Sequence, residues 1–376
     1  MFRYTPILRT RQSEMRGYRF LSEEIKNSPN FIPLFELTKP RKPANSAYGD
    51  LQQQIVELSK IHPYDSHFIL DITNIEPFKT PQITHLLSSN NGYENWVNFV
   101  NKQTEIFPNL IPCLQISDDS ESQEESNENF RKEISSLAKF NNITYRLSFE
   151  FYRYLSDDMD IIKSILGNDM SKVIVIIDLG YITLQTSAIV PAVVETAEKA
   201  LSYGVGEVIL CSSSFPQNPI DNVVPISRFA NEIITGSIKL LEKDFYNNVL
   251  KNLNDSYRGK FLYGDYATIF PTPSLQEGGR GWIPRIDLPY QDNIYIGRQK
   301  KYREQTGYVT AYLTAANHIH AMEIYQEIID NSSYCWGIEQ IQQATNGIIS
   351  GQNPSFWISV RLNIHITQIM RLLQNP

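Results

Sequence analysis

Arginines and carboxylates gather at the ends of short apolar runs in this chain, and that placement is the first sign of chemistry. Arg9, Glu36, Asp71, Gln115, Asp178, Ser212 and Asp265 each stand at or just after the end of such a run. Carboxylates that converge can move protons or hold Mg²⁺ or Mn²⁺. Glu36, Asp71, Asp178 and Asp265 are therefore the candidate catalytic set, with Glu14 as a further acid on the ligand side. Arg9, Arg11 and Arg146 suit an anionic ligand, because a planar guanidinium matches phosphate or carboxylate. The same arginines suit ion pairs with those acids, and the two tasks are compatible.

Asp178 follows five consecutive β-branched residues, Val173 to Ile177, so it leaves a very apolar stretch. A carboxylate there needs a partner. It reads equally as a site residue and as one member of a structural ion pair. In Gly264-Asp265-Tyr266 the glycine permits a close backbone approach and the Tyr266 hydroxyl can meet a ligand. Ser212, within Cys211-Ser-Ser-Ser214, can cradle an anion or simply belong to a loop. Arg298 opens a basic run to Arg303 that is mixed with Tyr295 and Tyr302, a combination that suits nucleic acid or a solvated strand end. His318 and His320 stand two apart in a helix-like stretch and so point to different faces, which makes a poor metal pair. No dinucleotide glycine fingerprint, phosphate-binding glycine loop or nucleophile motif is present.

These residues need elements to position them. Continuous apolar runs occur at Tyr4–Leu8, Phe31–Leu37, His67–Ile72, Leu110–Ile116, Ile143–Phe149, Lys172–Leu179, Glu207–Cys211 and Phe261–Ile269. Unbroken hydrophobicity marks strands covered on both faces, as in a parallel sheet. Helix-like stretches lie between them, at 13–26, 49–60, 93–106, 129–140, 188–203 and 228–250. In the last, Ala230, Ile233, Ile234, Ile238, Leu241 and Phe245 fall on one helical face. Eight strands alternating with helices predict an α/β chain with a (β/α)8 TIM-like barrel. After about residue 270 the pattern changes to a connection with Pro271, Pro273, Gly278, Gly279 and Gly281, a strand-like 293–297 and several helices. The expected organisation is a barrel over 1–272 and a mostly helical C-terminal extension over 273–376 packed on it.

Composition sets limits. The net charge is −7 with a pI near 5.5, which argues against a surface coated in basic residues but not against a local basic cleft. Much of the acid lies in Asp118 to Glu128, expected to be a solvated loop. Cys113, Cys211 and Cys335 are too few and too scattered for a disulfide framework or a zinc site. The opening MFRYTPILRTRQ has no apolar signal core, and no stretch is long and apolar enough to span a membrane. A cytoplasmic protein is expected.

The segment Pro6-Ile-Leu-Arg-Thr-Arg-Gln-Ser-Glu14 resembles the opening of the phage T4 beta protein family. Pro33-Leu-Phe-Glu36, Leu70-Asp71, Ile177-Asp-Leu-Gly180, Gly264-Asp-Tyr266 and a tail with Trp357 and Asn363-Ile-His365 follow in the family's order. The chain departs from it at Ser13, at Gly337-Ile338 and at Ile364-His365, where the family has Gly, Gly-Asp and paired histidines. The resemblance implies a barrel from phages and bacterial mobile or defence loci. It also adds Trp357 and His365 as ligand-side candidates, His365 reading as readily as a satisfied core residue. Two functions fit. One is an enzyme acting on a phosphorylated, nucleotide or nucleic-acid ligand. The other is a non-catalytic sensor or partner module of an anti-phage system, with a protein partner encoded nearby. A sugar-processing barrel has the residue types but no recognisable carboxylate pair motif.

Overall fold

The structure is a computed structural model that describes residues 3–42, 48–116, 120–229, 232–272, 282–301, 307–330 and 334–374. Its strands are β1 (Tyr4–Arg9), β2 (Leu34–Leu37), β3 (Phe68–Ile72), β4 (Leu110–Pro112), β5 (Ile143–Ser148), β6 (Val173–Tyr181), β7 (Glu207–Ser213), β8 (Val224–Phe229), β9 (Glu232–Lys239), β10 (Phe261–Asp265), β11 (Arg285–Tyr290) and β12 (Asn293–Arg298). The chain divides into two compact units. The first comprises Met1–Arg11, Asn27–Ser212 and Glu242–Tyr266, and the second Gln12–Lys26, Ser213–Leu241 and Ala267–Pro376.

The first unit is the predicted barrel. Its eight strands run in the order β4-β3-β2-β1-β10-β7-β6-β5. Parallel bridging of Cys113 to Thr144, with Leu114 N–H donating to Thr144 O at 2.7 Å, joins the two ends of that order. Closure leaves no open edge, so every strand is covered and its sequence can be apolar on both faces. Register fixes the interior. Arg9, Glu36 and Asp71 are in-register partners across β1, β2 and β3. Two residues earlier, Ile7, Leu34 and Ile69 form the same row one layer down, and all three are buried. A charged row thus lies directly on an apolar layer, where it needs its own partners.

The second unit holds an antiparallel sheet in the order β11-β12-β9-β8. Its helices are Gln12–Arg19, Glu23–Lys26, Val309–His320, Glu323–Asp330, Trp336–Thr345 and Pro354–Gln374. Ile286, Leu288, Tyr312, Ile319, Ile338 and Trp357 share its core. The expected C-terminal helices are present. None of the described helices is long and apolar enough to cross a membrane.

Two expectations are corrected. The stretch 228–250 is not one helix. It completes β8, forms β9, and only then turns into the helix Glu242–Asn252. Val224, Ile226, Ile233, Ile234, Thr235 and Ile238 supply β-branched side chains that favour strands, and Pro225 is tolerated because β8 is an edge. Ala230 lies outside the described residues. The acidic run is not simply a loop either. From Gln123 it is the start of the helix Gln123–Leu137, capped by Ser122 Oγ, which accepts from Glu125 N. Acidic side chains suit a helix N-terminus, where the backbone dipole is positive. Asp118, Asp119, Pro273, Gly278, Gly279, Gly281, Tyr302 and Arg303 lie outside the described residues.

Gly264 shows how tightly the barrel is packed. A Cβ there would stand 2.4 Å from Cys211 Sγ and 2.7 Å from Thr5 O. At Gly259 nothing lies within 4 Å. Gly264→Ala should therefore cost about 1–3 kcal/mol, while Gly259→Ala should be neutral or stabilise slightly. Urea unfolding measures both, and equal midpoints for the two variants would contradict this packing.

Candidate functional site

Arg146 leaves β5 on the same face as Ser148, the in-register partner of Asp178 on β6. Its guanidinium is the hub of the barrel's C-terminal end. Nη1 donates to Glu36 Oε2 and to Asp71 Oδ2, each at 2.7 Å. Nε and Nη2 donate to Asp178 Oδ2 at 3.0 and 2.7 Å, and Nη2 also reaches the Tyr266 hydroxyl at 3.1 Å. An arginine has five N–H donors, and these five contacts engage all of them. The Tyr266 hydroxyl in turn donates to Asp178 Oδ2 at 2.6 Å.

The carboxylates are held from a second side. Arg9 Nε donates to Glu36 Oε1 at 3.1 Å. Asp71 Oδ1 accepts from Ile72 N and from Gln115 Nε2, and Asp178 Oδ1 accepts from Gly180 N. Two arginines face three carboxylates, so the cluster carries one negative charge in excess. Arg146 has only 16% of its side chain exposed, and Glu36 only 2%. Burial by itself would raise the Glu36 pKa, but the Arg146 and Arg9 charges outweigh it and hold Glu36 down at about 2. Burial would also weaken the Arg146 charge, yet Asp178, Tyr266, Glu36 and Asp71 together keep it firmly protonated. The Tyr266 hydroxyl is pushed well up, by burial and then by Asp178.

A ladder of guanidinium and ring faces leads outward from the hub. The Arg9 Cζ lies 5.8 Å from the Tyr266 ring centre and 5.3 Å from that of Phe78. Arg11, which is exposed, lies 4.9 Å from the same Phe78 ring. The Arg11 guanidinium makes no hydrogen bond or ion pair with any described residue.

The barrel thus brings together Arg9, Arg11, Glu36, Asp71, Arg146, Asp178 and Tyr266. Asp265 is placed differently. It is in register with Pro6, three residues from Arg9, so it lies on the opposite face of the sheet. There it accepts from the Tyr4 and Tyr263 hydroxyls at 2.6 and 3.0 Å. Ser212 is its buried register partner on β7. Glu14, Arg298, Trp357 and His365 belong to the second unit. Glu14 Oε2 accepts from Ser13 Oγ, and His365 is buried in the long C-terminal helix. Trp357 packs flat on Tyr312 and donates its Nε1–H to Gly351 O. Asn363, from the same tail motif, donates to Gly17 O and accepts from Gly337 N.

Glu133 escaped notice in the sequence. It is fully buried, its Oε1 accepts from Gln115 N, and its Oε2 has no hydrogen-bond partner among the described residues. Burial raises its pKa well above the ordinary carboxylate value. The available signal was a lone acid in the apolar stripe of Phe130, Ile134 and Leu137. As for Mg²⁺ or Mn²⁺, no group of three or more His, Cys, Asp or Glu among the described residues is arranged to hold a metal ion. The three carboxylates converge on the guanidinium instead. Cavities of about 850 and 250 Å³ lie elsewhere, along the Ser122–Arg131 helix start and around His67, Asn109 and Phe140.

A family model described as "Beta protein" matches residues 4–371. "Protein beta" of Enterobacteria phage P4 is 27% identical over 99% of this chain and 94% of its own length. The phage in that comparison is P4, not the T4 suggested by the sequence resemblance. Morphinone reductase in complex with tetrahydroNAD is 9% identical, covering 70% of this chain and 82% of that chain, with a TM-score of 0.27. A likeness at that level carries no argument about function.

The hub makes a signed pH prediction. Glu36 sits near 2 when folded against an ordinary 4.5, so its stabilisation is complete above about pH 4.5 and is lost as pH falls toward 2. That loss is on the order of 3 kcal/mol. Arg146→Met strands Asp71 and Asp178 and should cost about 3–5 kcal/mol at neutral pH. Without Arg146 the Glu36 shift shrinks, so the variant should lose less stability than the wild type as pH falls toward 2. Urea melts of both proteins across this range read it, and parallel pH profiles would contradict it.

Proposed function

This chain belongs to the Beta protein family, and we propose that the C-terminal face of its barrel recognises a phosphorylated ligand of the nucleotide or nucleic-acid class. The observation that carries this reading is the ladder from the buried hub to exposed Arg11. Arg146 has no donor left for a ligand. Arg11 has, because its guanidinium makes no hydrogen bond or ion pair with a described residue. Arg9 and Phe78 brace it from beneath. In this reading Arg11 meets the phosphate, and Glu36, Asp71 and Asp178 keep Arg146 in place as a rigid floor.

Recognition without turnover is the better form of the proposal. Glu36, held near 2, stays ionised at neutral pH, and effective acid–base groups titrate near the working pH. Arg146 keeps its charge throughout. A non-catalytic sensor or partner module, acting in a host cytoplasm from a phage, mobile-element or defence locus beside a protein encoded nearby, fits that chemistry. The phage P4 relative supports the setting.

Calorimetric titration with ATP, and separately with inorganic phosphate, tests this. Arg11→Ala should weaken ATP binding about 10-fold, the worth of one charge-assisted hydrogen bond. Absent binding by the wild type, or unchanged affinity in the variant, would sink the phosphate reading. Steady conversion of ATP to product would sink the claim of recognition without turnover.

A further inference from the structure

The second unit carries its own concentration of positive charge beside aromatic rings. Arg285 on β11 and Arg298 on β12 are directly opposed in register. Like charges in that relation repel and normally destabilise a sheet. Asp287 answers one of them. It pairs with Arg285 at 2.7 Å and with Arg361 at 2.5 Å, and Arg361 lies 4.0 Å over the Phe215 ring. The half-buried Arg298 guanidinium makes no hydrogen bond or ion pair with any described residue. Burial weakens its charge, Glu232 restores some of it, and the Arg285 charge opposes it again.

Beyond β12 the chain runs on beside the segment that enters β11, since Gln299 N donates to Pro284 O at 3.0 Å. Lys300 and Lys301 follow Gln299, and Trp282 stands two residues before Pro284. Trp282, 37% exposed, stacks on Tyr308 with ring centres 4.5 Å apart and planes 18° apart. The Lys301 ammonium sits 5.0 Å from the Tyr308 ring centre. Lys300 meets Glu232 at 3.2 Å, a contact at the surface where both side chains are well solvated. A screened surface pair of that kind is weak and readily exchanged for another anion.

Four cations, two of them forced together by strand register, thus flank a rigid and partly exposed stacked ring pair. Phosphates would neutralise Arg298 and the two lysines, and bases would continue the stack begun by Trp282 and Tyr308. We propose that Trp282, Arg285, Arg298, Lys300, Lys301 and Tyr308 form a binding surface for single-stranded nucleic acid, separate from the barrel site. Flat ring faces beside backbone-neutralising cations favour unpaired bases over duplex, whose bases are already stacked on each other. The chain as a whole carries −7, so the attraction is local to this patch.

Fluorescence anisotropy with labelled oligothymidylate of about 20 nucleotides tests the proposal on the full chain. The wild type should bind, with an affinity that falls as salt rises. The Lys300→Glu, Lys301→Glu double variant should flatten the salt dependence by about 0.7 in log–log slope for each lysine lost. Trp282→Ala should weaken binding about 10-fold, and Trp282→Phe should retain most of it. Unchanged melting temperatures show that the variants fold, and Trp282→Phe keeps the test open if the alanine variant does not. No binding by the wild type, equal affinity for duplex of the same length, or full affinity in both the lysine and Trp282→Ala variants would overturn it. The Lys300→Glu, Lys301→Glu variant should leave ATP binding at the barrel intact, so the two sites fail independently.

Discussion

Five N–H groups on one side chain determine how the barrel's C-terminal end is built. Arg146 places every one of them, with most of its side chain removed from water above an apolar layer of Ile7, Leu34 and Ile69. Glu36, Asp71 and Asp178 answer that demand, and they have their own second partners in Arg9, Gln115 and backbone N–H groups. The arrangement ties β2, β3, β5 and β6 and the residue after β10 through one group. Breaking such a network leaves buried charge without compensation, so it holds its geometry even where the net gain over an apolar core is small.

The barrel was legible because burial on both faces leaves a crude signature, eight unbroken apolar runs separated by helical lengths. The polar residues at the ends of those runs were legible in type for a related reason: a charge at the end of a buried strand must have a purpose. What a single sequence could not supply was the face. Asp265 looked equivalent to Asp71 and Asp178, yet strand register turns it the other way, onto Tyr4 and Tyr263. Glu133 was hidden inside a helix whose neighbouring positions are apolar. The stretch 228–250 misled because its aliphatic residues fit helical spacing as well as strand alternation, and only pairing of β9 with β12 decides between them. The tail motif was visible as a pattern, but Trp357 and Asn363 act there by packing and by tying backbone groups together.

A saturated hub also shapes the functional reading. Its carboxylates hold an arginine instead of a metal ion, and its arginine holds carboxylates instead of a ligand. In the proposed reading the ligand meets the outer end of the Arg9–Phe78–Arg11 ladder.

The most direct measurement of the hub is nitrogen-15 NMR of the arginine side chains, with the Arg146 signals assigned by their loss in Arg146→Lys. Saturation predicts resolved Nη resonances with slowly exchanging protons, because rotation about Cζ would break several charged hydrogen bonds at once. A single averaged Nη signal with fast exchange, like that of a solvated arginine, would contradict the account.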